Sequence, residues 1–219
     1  TEEEIVSTIG CFTYREKVEE IRRIFAEQGE KAANEKKKEL PEIAFSASYR
    51  GRRTKVNLVK YLGHIVIDID HLSKEELARI LPIIKRCDYT RIAFISPKGM
   101  GVKIIVRACH PDETLPETLQ EIEDFHHAAY TRLVSFYTEL CQIEIDTSGQ
   151  DVARTCLFSY DPEIYFNPNA DAFLVDQPQA SYKVSNRKNL SGSKQQTPPD
   201  GPPTNEDTAL NAHSANASL

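Results

Sequence analysis

His64-Ile65-Val66-Ile67-Asp68-Ile69-Asp70 is an apolar run that ends in two carboxylates one residue apart. β-Branched residues dominate it and Gly63 precedes it, which predicts a short buried strand entered from a turn. Side chains alternate across a strand, so Asp68 and Asp70 are expected on one face at its carboxyl end. Neighbouring carboxylates repel each other and resist burial unless a cation lies between them, and hard divalent cations take oxygen ligands. The plainer reading is that the pair merely closes a strand, with Asp70 or Ser73 capping the helix that follows.

Outward from this run the pattern is regular. Ser73-Lys74-Glu75-Glu76 fits a capping box, and Leu77, Ile80, Leu81 and Ile84 follow at helical spacing. Arg91 to Ser96 and Gly101 to Arg107 read as strands joined through the short Pro97–Met100 loop. Leu115 to Leu140 predicts a long amphipathic helix, Ile143 to Asp146 a strand edge, and Thr155 to Tyr160 a further strand. Upstream, Thr13-Tyr14-Arg15-Glu16 fits another capping box, opening a helix from about Tyr14 into Lys36-Lys37-Lys38. Leu40-Pro41 ends it, and Ile43 to Ala47 forms a short strand. From Ile65 to Ile145 the order is βαββαβ, the split βαβ of ferredoxin-like and RNA-recognition-motif (RRM-like) domains in the α+β class. Such a sheet carries both helices on one face and leaves the other for a site.

Composition bounds the function. A chain of 219 residues with 40% hydrophobic content suits one domain plus extras. We place that domain at 1–180. The segment 181–219, rich in Ser, Asn, Gln, Pro and Gly, reads as a disordered linker or tail. Cys11, Cys87, Cys109, Cys141 and Cys156 are widely spaced and lack a Cys-x-x-Cys pair, so reduced thiols in a cytoplasmic protein are expected and a cysteine zinc site is not. No signal peptide and no membrane span are expected. The formal net charge of -6 argues against indiscriminate nucleic-acid binding. A local patch is available, however: Ser46 to Gly63 carries Arg50, Arg52, Arg53, Lys55 and Lys60 and no acid. It reads either as a solvated loop or as a contact for template or primer phosphates. Of the histidines, His64 and His126 read as packed side chains, and His71, beside the aspartates, is the one to watch.

Three elements stand in order: Asp68/Asp70, the segment Ser96-Pro97-Lys98-Gly99-Met100-Gly101-Val102-Lys103, and the segment Ile145 to Arg154. In this combination residues 10–176 resemble the archaeo-eukaryotic primase (primase-polymerase) superfamily. They are most similar to its VirE N-terminal domain family, often found ahead of a helicase-like module in mobile elements. The resemblance implies a DNA replication domain performing two-metal, template-directed nucleotidyl transfer. Asp68, Asp70 and Asp146 would be the catalytic ligands of Mg²⁺ or Mn²⁺, with Asp151 in reserve for the third. Ser96, Lys98, Gly99, Gly101, Lys103 and Arg154 would hold a nucleoside triphosphate, and Arg50, Arg52, Arg53 and Lys55 single-stranded DNA or a primer-template. One departure stands out: the second motif usually ends in histidine, and here Lys103 takes that place. An ammonium neutralises phosphate as a point charge but cannot give a directional imidazole hydrogen bond. Lys103 also reads as an exposed strand lysine, and Arg154 as the ion-pair partner of Asp151. Two other functions therefore stay open. One is a catalytically weak nucleic-acid- or nucleotide-binding domain serving an attached helicase. The other is a Toprim-like phosphoesterase, which needs a glutamate strand before the aspartate pair.

Overall fold

The computed structural model describes residues 1–176 of the chain; the expected linker at 181–219 lies outside the described residues. The architecture is mixed α+β with antiparallel sheets. In chain order the elements are α1 (Glu2–Gly10), α2 (Arg15–Gln28), α3 (Glu30–Lys37), β1 (Glu42–Ile43), β2 (Ala47–Tyr49), β3 (Leu58–Tyr61), β4 (His64–Ile69), α4 (Lys74–Arg86), β5 (Ile92–Ile95), β6 (Val102–Cys109), α5 (Leu119–Cys141), β7 (Cys156–Leu157), β8 (Tyr165–Phe166) and β9 (Phe173–Leu174). No described helix is long and apolar enough to cross a membrane.

The main sheet runs β4-β6-β5-β8, with β9 added in parallel to the end of β6. β6 is antiparallel to both β4 and β5, so β4 and β5 are parallel to each other and α4 crosses between them. Alternation then builds two faces. Ile65, Ile67, Ile69, Val102, Ile104 and Val106 bury one against α4 and α5. Val66, Ile92, Phe94 and Ile105 bury the middle of the other against Ile9 of α1, Ile43, Phe45 and Cys156. The second face is thus largely covered, contrary to the expectation of a free face. The helix that covers it, α1, was not expected at all, although its Ile5, Val6 and Ile9 recur at helical spacing. Glu2, at its start, pairs with Arg91 at 2.7 Å and His64 at 3.0 Å and fixes α1 on the sheet.

Local chemistry explains most boundaries. Ser73 and Glu76 form the expected reciprocal box, at 2.8 and 3.0 Å, and α5 opens on a similar one between Thr118 and Glu121. The box expected at Thr13 is absent: α2 starts without a side-chain cap, and the Thr13 hydroxyl lies 3.0 Å from Cys11 Sγ. Gly29, at φ +84, breaks the single helix expected from Tyr14 to the lysine run into α2 and α3. The expected strand at Thr155–Tyr160 shrinks to β7 and that at Ile43–Ala47 to β1. The strand expected at Ile143–Asp146 does not form: the segment pairs with no strand, although Ile145 is buried in the core.

In the core, the Tyr61 hydroxyl lies 3.0 Å from His126 Nδ1, and burial holds the His126 imidazole down to about 4. A free histidine protonates near pH ~6.5, so the unfolded chain takes up this proton first as pH falls. Stability from this site is therefore whole above pH ~6.5 and declines by up to about 3 kcal/mol as pH falls toward 4. His126→Gln keeps an acceptor for Tyr61 without the titration. Its stability deficit at pH 7.5 should shrink toward pH 4 in thermal melts; a constant gap refutes the assignment.

Candidate active site

β4 and β6 place Asp68 directly opposite Lys103, and β5 places Phe94 on the far side of Lys103 in the same cross-strand row. The next row is Val66, Ile105 and Ile92, all buried. Asp68 and Lys103 therefore sit at the end of a face that is otherwise apolar. Their side chains are only 14% and 10% exposed, and Lys103 Nζ donates to Asp68 Oδ2 at 2.5 Å. Arg154 Nη2 stands 3.6 Å from the same oxygen, so its guanidinium faces Asp68. Lys103 is a buried partner of the first aspartate, not an exposed strand lysine.

Asp68 Oδ1 is buried and has no hydrogen-bond partner. Asp70 follows β4 and faces Gly101, where an added Cβ would come within 2.5 Å of the Ile69 carbonyl and 2.8 Å of Asp70 Oδ1. Only glycine leaves room for this carboxylate. The intervening turn is pinned from both ends. Ser96 N donates to the Gly101 carbonyl and Gly99 N to the Ser96 carbonyl, each at 2.9 Å. Ile95 N donates to Asp161 Oδ2 at 2.9 Å, while Ser159 Oγ donates to the Ile95 carbonyl at 2.7 Å. Gly99 takes φ +78, and the Ser96 hydroxyl is buried without a partner. Lys98 is engaged: its ammonium meets Glu30 at 2.5 Å and lies over the Phe25 ring.

Two cations escaped the sequence reading. Lys37, at the end of α3, is half-buried among Lys98, Asp70, Lys103 and Asp68, and burial first, then its ammonium neighbours, lower its pKa. Arg22 of α2 packs against Gly99, donates to the Tyr160 carbonyl at 2.9 Å, and has a buried Nε without a partner. The lysine run was legible only as helix-terminal charge; nothing local announced that the charge of one of its members is felt at the aspartates.

The remaining expected residues divide. Asp146 lines one groove of about 720 Å³ together with Asp70 and His71. Its carboxylate is already used, because Oδ1 accepts from Ser148 N at 3.0 Å and Oδ2 from Ser148 Oγ at 2.6 Å, which lowers its pKa. Asp146 thus caps a 3₁₀ turn, Thr147–Gly149, in place of ending a strand. Asp151 accepts from Ala153 N at 2.8 Å and acts electrostatically on Tyr49, Lys55 and His126. Of the basic segment, Arg50 and Arg52 are exposed, Arg53 pairs with Glu42, and Lys55 with Glu123 at 2.7 Å.

The donor chemistry fits one hard cation: Asp68 Oδ1 is an orphaned buried oxygen, and the Asp70 carboxylate stands on the next outward position. Among the described residues no group of three or more His, Cys, Asp or Glu side chains is arranged for a metal.

Breaking a buried ion pair leaves an uncompensated charge, whereas replacing both partners with apolar groups is often neutral. Allowing for the residual exposure, Lys103→Met should cost about 2 kcal/mol. Asp68→Leu combined with Lys103→Met should recover most of it. Denaturant unfolding of both variants checks this, and equal losses would refute it.

No curated protein and no solved structure matched this chain. Residues 35–166 match the family of the BT4734-like, N-terminal domain, more than half of the chain and from the end of α3 to β8. The chain belongs to the BT4734-like N-terminal domain family.

Proposed function

We propose that this domain is a metal-dependent nucleotidyltransferase of primase-polymerase type, close to the VirE N-terminal domain family and acting in DNA replication of a mobile element. The observation that carries the reading is Asp68: a nearly buried carboxylate, held by Lys103, with one oxygen orphaned beside a turn bearing the unpartnered Ser96 hydroxyl. The parallel β4 and β5 with antiparallel β6 between them support an RRM-like split core, with the fourth strand replaced by the irregular run into Asp146.

Asp68 and Asp70 would hold Mg²⁺ or Mn²⁺, which supplies Lewis-acid activation of a 3′-hydroxyl and neutralises charge on departing pyrophosphate. Lys103, Lys37 and Arg154 set a positive field at the place where triphosphate charge collects. Arg22 packed against Gly99 would face the triphosphate, Gly101 keeps room for the Asp70 carboxylate, and Ser96 offers a hydroxyl. Lys98 becomes available to a nucleotide once Glu30 is displaced. Arg50 and Arg52, together with Arg53 and Lys55, would meet the single-stranded DNA or primer-template backbone.

One observation favours a second reading. Asp146 spends both oxygens on Ser148, and Lys103 occupies Asp68, which suits a domain that binds nucleotide or DNA for an attached helicase with little catalysis of its own. A Toprim-like phosphoesterase has less support: Glu42, in the segment from Leu40 to Ala47, lies on β1, which pairs with β7 and not with β4, and β3 carries no glutamate.

Template-directed incorporation of labelled nucleotides with Mg²⁺ or Mn²⁺ decides between them. Asp68→Ala should reduce incorporation at least a hundredfold, and Lys37→Ala should raise the nucleotide KM about tenfold at nearly constant kcat. Undiminished incorporation by Asp68→Ala rejects the polymerase reading. Strand binding by a folded protein without any incorporation selects the binding module.

A further inference from the structure

Phe12, in the 3₁₀ turn between α1 and α2, is 71% exposed and is the one aromatic among the exposed large hydrophobic residues of the described chain. Its ring lies near-parallel to that of Tyr160, with centroids 6.3 Å apart and planes 30° from parallel. The Arg15 guanidinium covers both rings, 5.3 Å from the Phe12 centroid and 5.7 Å from that of Tyr160. Glu19 holds Arg15 there through a 2.7 Å hydrogen bond. The Tyr160 carbonyl in turn accepts from Arg22, whose side chain packs against Gly99 of the turn beside Asp68.

Two flat rings under a guanidinium are the chemistry that stacks an unpaired base, since every base has a π-face and the cation suits its phosphate. The accessible apolar surface here is the Phe12 ring, with the Glu19-paired Arg15 guanidinium over it. We propose that Phe12, Tyr160 and Arg15 form a stacking platform for a base of a single-stranded nucleic acid, joined through Arg22 to the candidate active site. The platform rests on the reading of this domain as one that handles a nucleic-acid strand, and it lies upstream of the family-matched residues 35–166 except for Tyr160.

The test is titration of the full chain into oligothymidylate carrying 2-aminopurine, whose fluorescence is quenched by aromatic stacking, with anisotropy read in parallel. Wild type should quench on binding. Phe12→Ala should lose the quench and bind about tenfold more weakly, Arg15→Gln should weaken binding similarly, and Phe12→Trp should restore both signals. Phe12 is exposed, so an unchanged melting temperature certifies the fold of these variants. No binding by wild type, or binding and quenching unchanged in Phe12→Ala, overturns the platform. Loss of the quench in Phe12→Ala with no nucleotide incorporation by wild type supports the platform and rejects the polymerase reading alone.

Discussion

The contact between Lys103 and Asp68 is the constraint around which the rest of this fold is arranged. Two charges stand on a sheet face whose next row is wholly apolar, with a fully buried Phe94 beside them. Their attraction in a poorly solvated place is offset by the loss of hydration, so the pair adds little net stability. A sheet selected for stability alone would continue the Val66–Ile105–Ile92 pattern by one more row. What the pair does provide is position: it orients the Asp68 carboxylate so that one oxygen is satisfied and the other is left without a partner.

Position requires register, and both sheet faces supply it. A slip of one residue between β4 and β6 would turn Ile65, Ile67 and Ile69 to the second face, against packing shaped for other side chains, and drive Asp68 into the core beneath α4 and α5. The covered second face matters equally. α1 and the segments around Phe45 and Cys156 bury its middle and so confine the charged row to one end. There the turn 96–101 is tied down by Asp161 and Ser159, which themselves lie on the chain leading to β8. Burial beside this row pushes the Cys156 thiol up to about 12, so the sulfur under the site stays protonated and inert.

Much of this was legible in the sequence because the signals are local. The alternation through Ile65–Ile69, the Ser73 box and the apolar strands around Pro97–Met100 each state their structure within a few residues. Asp146 misled for a physical reason. Ile143 and Ile145 alternate as a strand does, but Asp146-Thr147-Ser148 is also an Asx-type cap, and the hydrogen bonds to Ser148 win. Gly29 was visible too, yet the helical period on either side concealed that its backbone would turn to φ +84. Lys37 and Arg22 could not have been found, since their roles depend on how two N-terminal helices dock against a turn some sixty residues or more later in the chain.

Charge at the site runs against charge in the chain. The whole sequence carries -6, but Lys37, Lys98, Lys103 and Arg154 gather around Asp68, Asp70 and Glu30. Ammonium groups held near one another in partial burial repel, and the lowered pKa of Lys37 expresses that repulsion together with lost hydration. Lys98 and Lys103 are each paired with a carboxylate, and under the proposed function a polyanion seated among these cations would relieve the remaining repulsion and offer the Ser96 hydroxyl a partner. Lys103 fits the same logic: a compact point charge favours holding an anion over steering a proton. Under the proposed function that preference makes Lys103 a holder of phosphate charge, while the chemical step would depend on how Asp68 is shared between Lys103 and a metal ion.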